Sequence, residues 1–287
     1  MENNLFILHE ELLSKQFIHQ PYQSFYVRDP KLRHIHKATV YDRVLHQAIF
    51  RVLYSIFDCN FIEDSYSCRV DKGTHRGVLK LEKIAKSNIF AVKCDIKKFF
   101  DSVDQGILSN LIKKRIKDEN TLWLIEKIIK SFEKEKERGL PLGNVTSQLF
   151  ANIYLNELDY FVKNKLKIEN YLRYCDDFII LGNSKEYLME IVGEIDHFLK
   201  MNLKLQIHQN KIILRKRNWG IDFLGYIVLP NYKLLRTKTK KRIFKKLLNN
   251  KISEQALQSY FGILKHCQGY KIKEQIKKIY NIEIIEK

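Results

Sequence analysis

Apolar residues recur with two different periods along the chain, and each period predicts a type of element. In residues 41–57 they occupy positions 44, 45, 48, 49, 52, 53, 56 and 57, the spacing of one face of a helix. In residues 89–96 they alternate instead, so that Lys93 and Asp95 share one face while the other carries Phe90, Val92, Cys94 and Ile96. The alternation predicts a strand with Asp95 near its end.

The rest of the chain continues as helical and strand-like segments with short breaks, so we expect an α+β protein. The clearest break is "RGLPLGN" at 138–144, where two glycines flank a proline. No repeat or Gly/Ser linker divides the chain. Helical patterns cover residues 106–138, 147–166, 185–203, 237–251 and 253–267, and strand-like runs cover 171–182, 204–217 and 220–229.

One strand-like segment, "RYCDDFII" at 173–180, contains two adjacent carboxylates, Asp176 and Asp177. Buried carboxylates are costly unless they are paired or bound to metal, and a turn between two strands would expose both. Oxygen ligands of this kind suit magnesium, and two such ions can clamp the reacting oxygens of a phosphoryl transfer. Asp95, on a separate strand, is the best candidate for a third ligand. The alternative is that the pair belongs to an ordinary hairpin turn.

Charge points to a polyanionic partner. The chain has 51 Lys and Arg against 33 Asp and Glu among 287 residues, a net charge of +18. Residues 211–246 hold twelve Lys or Arg and a single acid, Asp222, with aromatic residues between them. This composition favours a surface that grips nucleic acid duplex, although a solvated helix face is the common alternative.

Cysteine spacing and hydropathy exclude other classes. No two of the five cysteines form a C-x-x-C pair, so we expect reduced thiols rather than a zinc site or disulfides. No apolar run approaches the roughly 20 residues of a membrane helix, and the first residues lack the layout of a secretory signal. We therefore expect a cytoplasmic protein without membrane partners.

A series of blocks resembles a reverse transcriptase from about residue 28 to 235, in the group II intron-like branch. "LRHIHKATVYDRVLHQAI" resembles the first block and "EDSYSCRVDKGTHRGV" the fingers block. "AVKCDIKKFFDSVD" is similar to motif A, "GLPLGNVTSQLFANIYLNELDYFV" to motif B and "RYCDDFII" to motif C. "QIHQNKIIL" resembles motif D and "DFLGY" motif E. The order of the blocks is more specific than any one of them.

The resemblance implies a catalytic set with two Mg²⁺ ions, for which Mn²⁺ is a substitute. Asp95 and Asp176 correspond to the principal metal ligands, Asp177 to the neighbouring acid and Ile96 to a backbone carbonyl ligand. Lys211 corresponds to a lysine that donates a proton to the leaving pyrophosphate. A plain phosphate contact is the alternative for Lys211.

It also implies residues that bind the deoxynucleotide, the template and the primer. Arg69, Lys72 and Arg76 correspond to basic residues that hold the triphosphate, and Phe100 to the residue that screens the sugar 2′-position. The remaining nucleotide-binding positions are Leu142, Gly143 and Gln148, and the template or primer positions are Asn152, Tyr174, Phe223, Leu224, Gly225 and Tyr226. Core packing for Phe100, solvation for Lys72, and capping or surface polarity for Gln148 and Asn152 are the alternatives.

The implied architecture is a right-hand polymerase with fingers, a palm of antiparallel sheet plus helices, and a short helical thumb. We expect an N-terminal helical extension at 1–25, fingers at 26–90 and 106–140, a palm at 91–105 and 141–229, and a thumb at 230–287.

Two departures from the usual motifs bear on the subclass. Leu142 stands where many reverse transcriptases have Gln, and Leu before Gly followed by "NVTSQ" resembles the diversity-generating retroelement enzymes. Those enzymes copy a template RNA with errors opposite adenine, and an accessory helical protein assists them. Cys175 stands where most relatives have Ala, a change expected to tune fidelity.

Two alternatives remain open at this point. One is a bacterial antiphage-defence or retron-type reverse transcriptase, and the other is a catalytically dead nucleic-acid-binding protein. A bacterial, archaeal or phage origin is expected in each case. The three retained aspartates argue against the inactive protein.

Overall fold

The computed structural model describes residues 2–28, 31–248 and 253–280. The helices are α1 (Glu2–Leu13), α2 (Val40–Phe57), α3 (Thr74–Ala85), α4 (Phe99–Ser102), α5 (Gln105–Lys113), α6 (Glu119–Lys130), α7 (Val145–Tyr160), α8 (Lys185–Leu203), α9 (Thr237–Leu248), α10 (Glu254–Leu264) and α11 (Tyr270–Tyr280). The strands are β1 (Gln23–Arg28), β2 (Leu32–Lys37), β3 (Phe90–Asp95), β4 (Tyr171–Tyr174), β5 (Asp177–Gly182), β6 (Ile213–Lys216), β7 (Ile221–Phe223), β8 (Tyr226–Val228) and β9 (Lys233–Leu235). Mixed helices and antiparallel sheets confirm the α+β class. Among the described residues, no helix combines the length and apolarity needed to cross a membrane.

A four-stranded antiparallel sheet in the order β4-β5-β3-β6 carries the acidic residues. The predicted strand at 89–96 is confirmed as β3, and the predicted pair at 171–182 forms the hairpin β4–β5. In the β3–β5 register Asp95 lies opposite Asp177. Two strands far apart in sequence therefore place their carboxylates side by side at one end of the sheet.

The sheet separates two hydrophobic cores, as the alternation in β3 requires. Val92 and Cys94 belong to a large core with α2, α5, α7 and α8, whereas Ala91 belongs to a second core with α3, the β7–β8–β9 sheet and α10. Because alternate residues share a face, Lys93 and Asp95 lie on the side of the second core. The acidic end of the sheet is thereby fixed by packing on both faces.

A fully buried ion pair joins the sheet to α7. Asp159 of α7 accepts hydrogen bonds from Nε and Nη2 of Arg173 in β4, at 2.7 and 2.5 Å. Tyr171 donates its hydroxyl to the same carboxylate at 2.7 Å, and Arg173 Nη2 also bonds Ser65 at 3.1 Å. Burial disfavours the charge of Arg173, but the Asp159 carboxylate outweighs it and raises the pKa of the guanidinium. The buried charges are thus paired with good geometry.

Several elements differ from their predicted form. Residues 106–138, predicted to be helical, form two helices, α5 and α6, and residues 131–138 are not helical. Asp118 caps the start of α6 by accepting the Thr121 N–H at 2.7 Å. The run at 220–229 folds back as β7–β8, since Leu224 and Gly225 both have positive φ, at 48° and 92°. The run at 204–217 is a strand only over β6.

Both chain ends also depart from expectation. The helical part of the predicted extension at 1–25 ends at Leu13, and β1 begins at Gln23. The β1–β2 hairpin has no counterpart among the predicted elements. At the other end the predicted helices are confirmed as α9 and α10, while residues 249–252 and 281–287 of the predicted thumb lie outside the described residues.

Removing the charge of Asp159 should destabilise the protein strongly, because Arg173 would remain as a buried unpaired cation. We expect Asp159→Asn to lower the free energy of unfolding by about 3–5 kcal/mol in urea titrations. The matched control is Glu126→Gln, which breaks a half-exposed 2.7 Å pair with Lys113. That change should cost less than about 1 kcal/mol. Equal costs for the two variants would contradict the assigned role of the buried pair.

Stability should also fall at acidic pH through His46, a buried residue of α2. Its Nε2 lies 3.1 Å from His19 Nε2 and its Nδ1 3.3 Å from Thr146 Oγ1. Burial, with the neighbouring His19, lowers the pKa of His46 from 6.5 to about 4. Since the folded pKa is depressed, its contribution is complete above pH 6.5 and is lost as the pH falls towards 4.

We expect this residue to account for about 3 kcal/mol of unfolding free energy between pH 7 and pH 4. The measurement compares urea titrations of the protein and of His46→Gln, which cannot titrate, across that window. The pH dependence should be shallower in the variant by that amount. Parallel curves would show that His46 is not held neutral.

Candidate active site

A cavity of about 680 Å³ opens at the acidic end of the sheet. The β4–β5 turn, α4, the start of α7 and the inner side of β2 line it. Nine residues predicted from the sequence are among the lining residues: Phe100, Leu142, Gly143, Gln148, Asn152, Tyr174, Asp176, Asp177 and Leu224. The cavity therefore unites parts of motifs A, B, C and E.

Backbone contacts hold the acidic turn from two sides. Ile96 donates its N–H to the Asp176 carbonyl at 3.1 Å, and Arg173 Nη1 bonds the Cys175 carbonyl at 3.0 Å. Cys175 itself has a φ of 54°, a conformation that non-glycine residues rarely adopt. The turn is strained locally and is fixed by partners outside it.

The three carboxylates interact unfavourably with one another. Burial raises the pKa of Asp176, and the charges of Asp177 and Asp95 raise it further. Burial also raises the pKa of Asp177, with the Lys93 ammonium acting in the opposite direction. A concentration of half-buried carboxylates is the environment that a divalent cation stabilises.

Two lysines pair with the carboxylates in this structure. Lys211 Nζ lies 2.5 Å from Asp95 Oδ1, and Lys93 Nζ lies 3.4 Å from Asp177 Oδ2. Within the described ranges no three His, Cys, Asp or Glu side chains are arranged to hold a metal ion. The oxygen donors fit magnesium chemically, but Asp95 and Asp177 each face an ammonium group. Lys211 lies next to Asp95, and its role as a proton donor stays a prediction.

The basic residues predicted for the triphosphate do not line the cavity. Arg69 bonds Asp58 through Nε at 2.6 Å and the Ile62 carbonyl through Nη1 at 2.6 Å. Lys72 pairs with Glu63, and Arg76 is exposed on α3. Their assignment to the nucleotide stays a prediction, and these contacts bind Arg69 and Lys72 to their own loop.

Gly143 is required by a close approach that the sequence did not identify. Its φ is 113°, and a Cβ there would lie 2.8 Å from Ile35 Cγ2 of β2. The His36 N–H also bonds the Leu142 carbonyl at 2.8 Å. The β1–β2 hairpin therefore packs directly on motif B, and only glycine fits at this contact.

Of the template and primer residues, Asn152, Tyr174 and Leu224 line the cavity. The side chain of Asn152 is also buried, donating to the Ser67 carbonyl at 2.9 Å and accepting from Arg173 at 3.4 Å. Phe223 is fully buried, and the Tyr226 hydroxyl bonds the Ile263 carbonyl at 3.1 Å. Leu224 and Tyr174 face the cavity, while Phe223 and Tyr226 hold the hairpin that presents Leu224 to it.

Several cavity residues were not identified from the sequence. Arg33 and Ile35 come from the unpredicted strand β2, Lys98 directly precedes α4, and Asp101 lies within α4. Ser147 is buried, and its hydroxyl has no hydrogen-bond partner within the described part of the chain. Its place in motif B, one residue before Gln148, was the available signal.

Comparison with known proteins agrees with this geometry. The chain matches the family described as "Reverse transcriptase (RNA-dependent DNA polymerase)" over residues 27–228. It is 26% identical over 265 residues to Protein YkfC of Escherichia coli strain K12, covering 77% of this chain and 70% of that protein. It is 25% identical over 307 residues to the group II intron-encoded protein LtrA of Lactococcus lactis subsp. cremoris, covering 81% of this chain and 51% of LtrA. The chain thus spans about half the length of LtrA.

A solved structure shows the same fold. Telomerase from Candida albicans, in complex with the TWJ fragment of telomeric RNA, aligns with a TM-score of 0.56 at 12% identity, over 98% of this chain and 61% of that one. At this identity the likeness concerns the fold alone. The family match, by contrast, spans most of the chain and includes the β3 strand, motif B and the acidic turn. The chain therefore belongs to the reverse transcriptase (RNA-dependent DNA polymerase) family.

Proposed function

We propose that the protein is an RNA-directed DNA polymerase that transfers deoxynucleotides to a primer 3′-hydroxyl with divalent cations. The observation that supports this proposal is the placement of Asp177 opposite Asp95, with Asp176 and Asp177 lining a cavity large enough for a nucleotide. Family membership and the net charge of +18 support a template RNA, a primer and deoxynucleotides as partners.

The protein groups have separate roles in this proposal. Asp95, Asp176, Asp177 and the Ile96 carbonyl hold Mg²⁺, or Mn²⁺ in its place, which when bound supplies charge stabilisation at the reacting phosphate. Lys211, released from Asp95, donates a proton to the pyrophosphate. Phe100, Leu142, Gly143 and Gln148 surround the incoming nucleotide, and Leu224 and Tyr174 border the primer end.

The right-hand architecture is part of the same proposal. Residues 26–90 and 106–140 serve as fingers, 91–105 and 141–229 as palm, and 230–287 as a short thumb. The large core under the sheet supports the palm assignment, and the basic helix α9 supports a duplex-facing thumb.

For the biological role we propose a diversity-generating retroelement enzyme. It would copy a template RNA with adenine-specific errors and act with an accessory helical protein. Leu142 supports this role, because it borders the cavity three residues before the start of α7 and its side chain offers no hydrogen bond to a nascent base pair. The alternative is an antiphage-defence or retron-type reverse transcriptase. A template/variable repeat pair beside the gene with adenine-specific differences would support diversification, and its absence would favour defence.

Primer extension tests the polymerase proposal and the inactive alternative together. On poly(rA)/oligo(dT) with Mg²⁺, we expect synthesis by the unmodified protein and a loss of about 10³-fold or more in Asp176→Asn, because a cation ligand is removed. The control Glu190→Gln removes an exposed carboxylate of α8 and should retain activity. Absence of synthesis by the unmodified protein, or full activity in Asp176→Asn, would refute the proposal.

Fidelity tests the subclass through Leu142. In Leu142→Gln, a polar side chain can hydrogen-bond near the nascent pair, so we expect misincorporation opposite template adenine to fall about fivefold, the worth of one hydrogen bond. The control Leu142→Met keeps an apolar side chain of similar size and should leave the error rate unchanged. Sequencing of single-round cDNA provides the measurement. Unchanged errors in Leu142→Gln would remove the support that Leu142 gives to this role.

A further inference from the structure

Lys93 lies beside the carboxylates at the acidic end of the four-stranded sheet. The resemblance to the reverse transcriptase motifs implied no role for this residue. It precedes Asp95 by two positions in β3, so both side chains emerge on the same face of the sheet, about 7 Å apart along the strand. Its Nζ lies 3.4 Å from Asp177 Oδ2. The side chain is only 18% exposed, which removes most of the screening that weakens surface pairs.

A second contact fixes the same ammonium from the other side. Lys93 Nζ lies 5.9 Å from the centre of the Phe223 ring, within the range of a cation–π interaction. Phe223 is fully buried in β7 and directly precedes Leu224, which lines the cavity. One ammonium therefore connects the acidic turn with the hairpin that borders the primer end.

We propose that Lys93 is a positioning residue that holds the Asp177 carboxylate and competes with the cation for it. Asp95 and Asp176 are then the principal ligands of the cation, and Asp177 contributes little to cation binding as long as Lys93 is paired with it. The lysine also limits cation affinity, because it places a positive charge beside the site. This inference rests on the proposed function in so far as the aspartates bind a divalent cation.

The experiment measures cation binding rather than synthesis. Mn²⁺ is titrated into the full chain and the free ion is followed by electron paramagnetic resonance, with and without a dideoxy-terminated primer–template and the next deoxynucleotide. We expect Lys93→Met to bind Mn²⁺ about tenfold more tightly than the unmodified protein, the order expected for removal of one positive charge beside a divalent ion. Loss of the fold would separate the carboxylates that β3 and β5 bring together and would weaken binding at this site, so it would not reproduce the expected gain.

Two controls separate a local effect from a change in net charge. Lys93→Arg keeps the charge and should bind Mn²⁺ as the unmodified protein does. Lys185→Met removes the same charge from an exposed residue at the start of α8, beyond the far end of β5, and should also leave the dissociation constant unchanged. An equal gain in Lys185→Met would overturn the inference in favour of a general charge effect.

A double-mutant cycle tests the positioning itself. In the unmodified background Asp177→Asn should weaken Mn²⁺ binding less than about threefold, since that carboxylate is already paired. In the Lys93→Met background it should cost about tenfold, because the released carboxylate has joined the site. Additive effects would overturn the positioning role. If no variant binds Mn²⁺ in either condition, the inference and the proposed cation site both fail; if only the gain is missing, the proposed function stands.

Discussion

The buried pair between Arg173 and Asp159 is the interaction on which the arrangement of the site depends. A guanidinium withdrawn from water is tolerated only with full compensation, and here Asp159, Ser65, Asn152 and the Cys175 carbonyl satisfy its donors. These partners come from α7, from the loop before α3 and from the acidic turn. Because one planar group fixes all three, the carboxylates have a defined position relative to the helix that carries motif B.

Charge balance is the second constraint on the site. A chain with a net charge of +18 places three carboxylates together at one end of its four-stranded sheet, where they repel one another. Lys211 and Lys93 offset two of them within the protein. The net positive charge of the whole chain attracts a polyanion, whereas the three carboxylates at this end of the sheet attract a cation. Single lysine side chains separate these two kinds of charge.

Much of the fold was predictable because its patterns are local. The periods of α2 and β3 and the "DD" turn between two β-prone runs follow from side-chain spacing alone. The β1–β2 hairpin was not predictable in this way, since every residue of β1 is exposed and no alternation marks it. Arg33 and Ile35 were missed as cavity residues because they belong to β2, the second strand of this unpredicted hairpin.

The pattern of residues along the chain also did not predict which residues far apart in the sequence contact each other. Arg69 is bound by Asp58, and Phe223 and Tyr226 point into the second core; each position depends on tertiary packing. The resemblance to the family supplied the identity of these residues, whereas the structure determines which of them reach the cavity.

The division of the molecule into two cores has a consequence for how the protein opens. β3 and β5 form the common wall, so their amide groups are covered by side chains of both cores. Loss of the core around α10 and the β7–β8–β9 sheet would leave one face of that wall protected, and loss of the helical core would leave the other. We therefore expect the amide hydrogens of β3 and β5 to exchange more slowly than those of the other described strands, because either core alone still covers one face of these two strands.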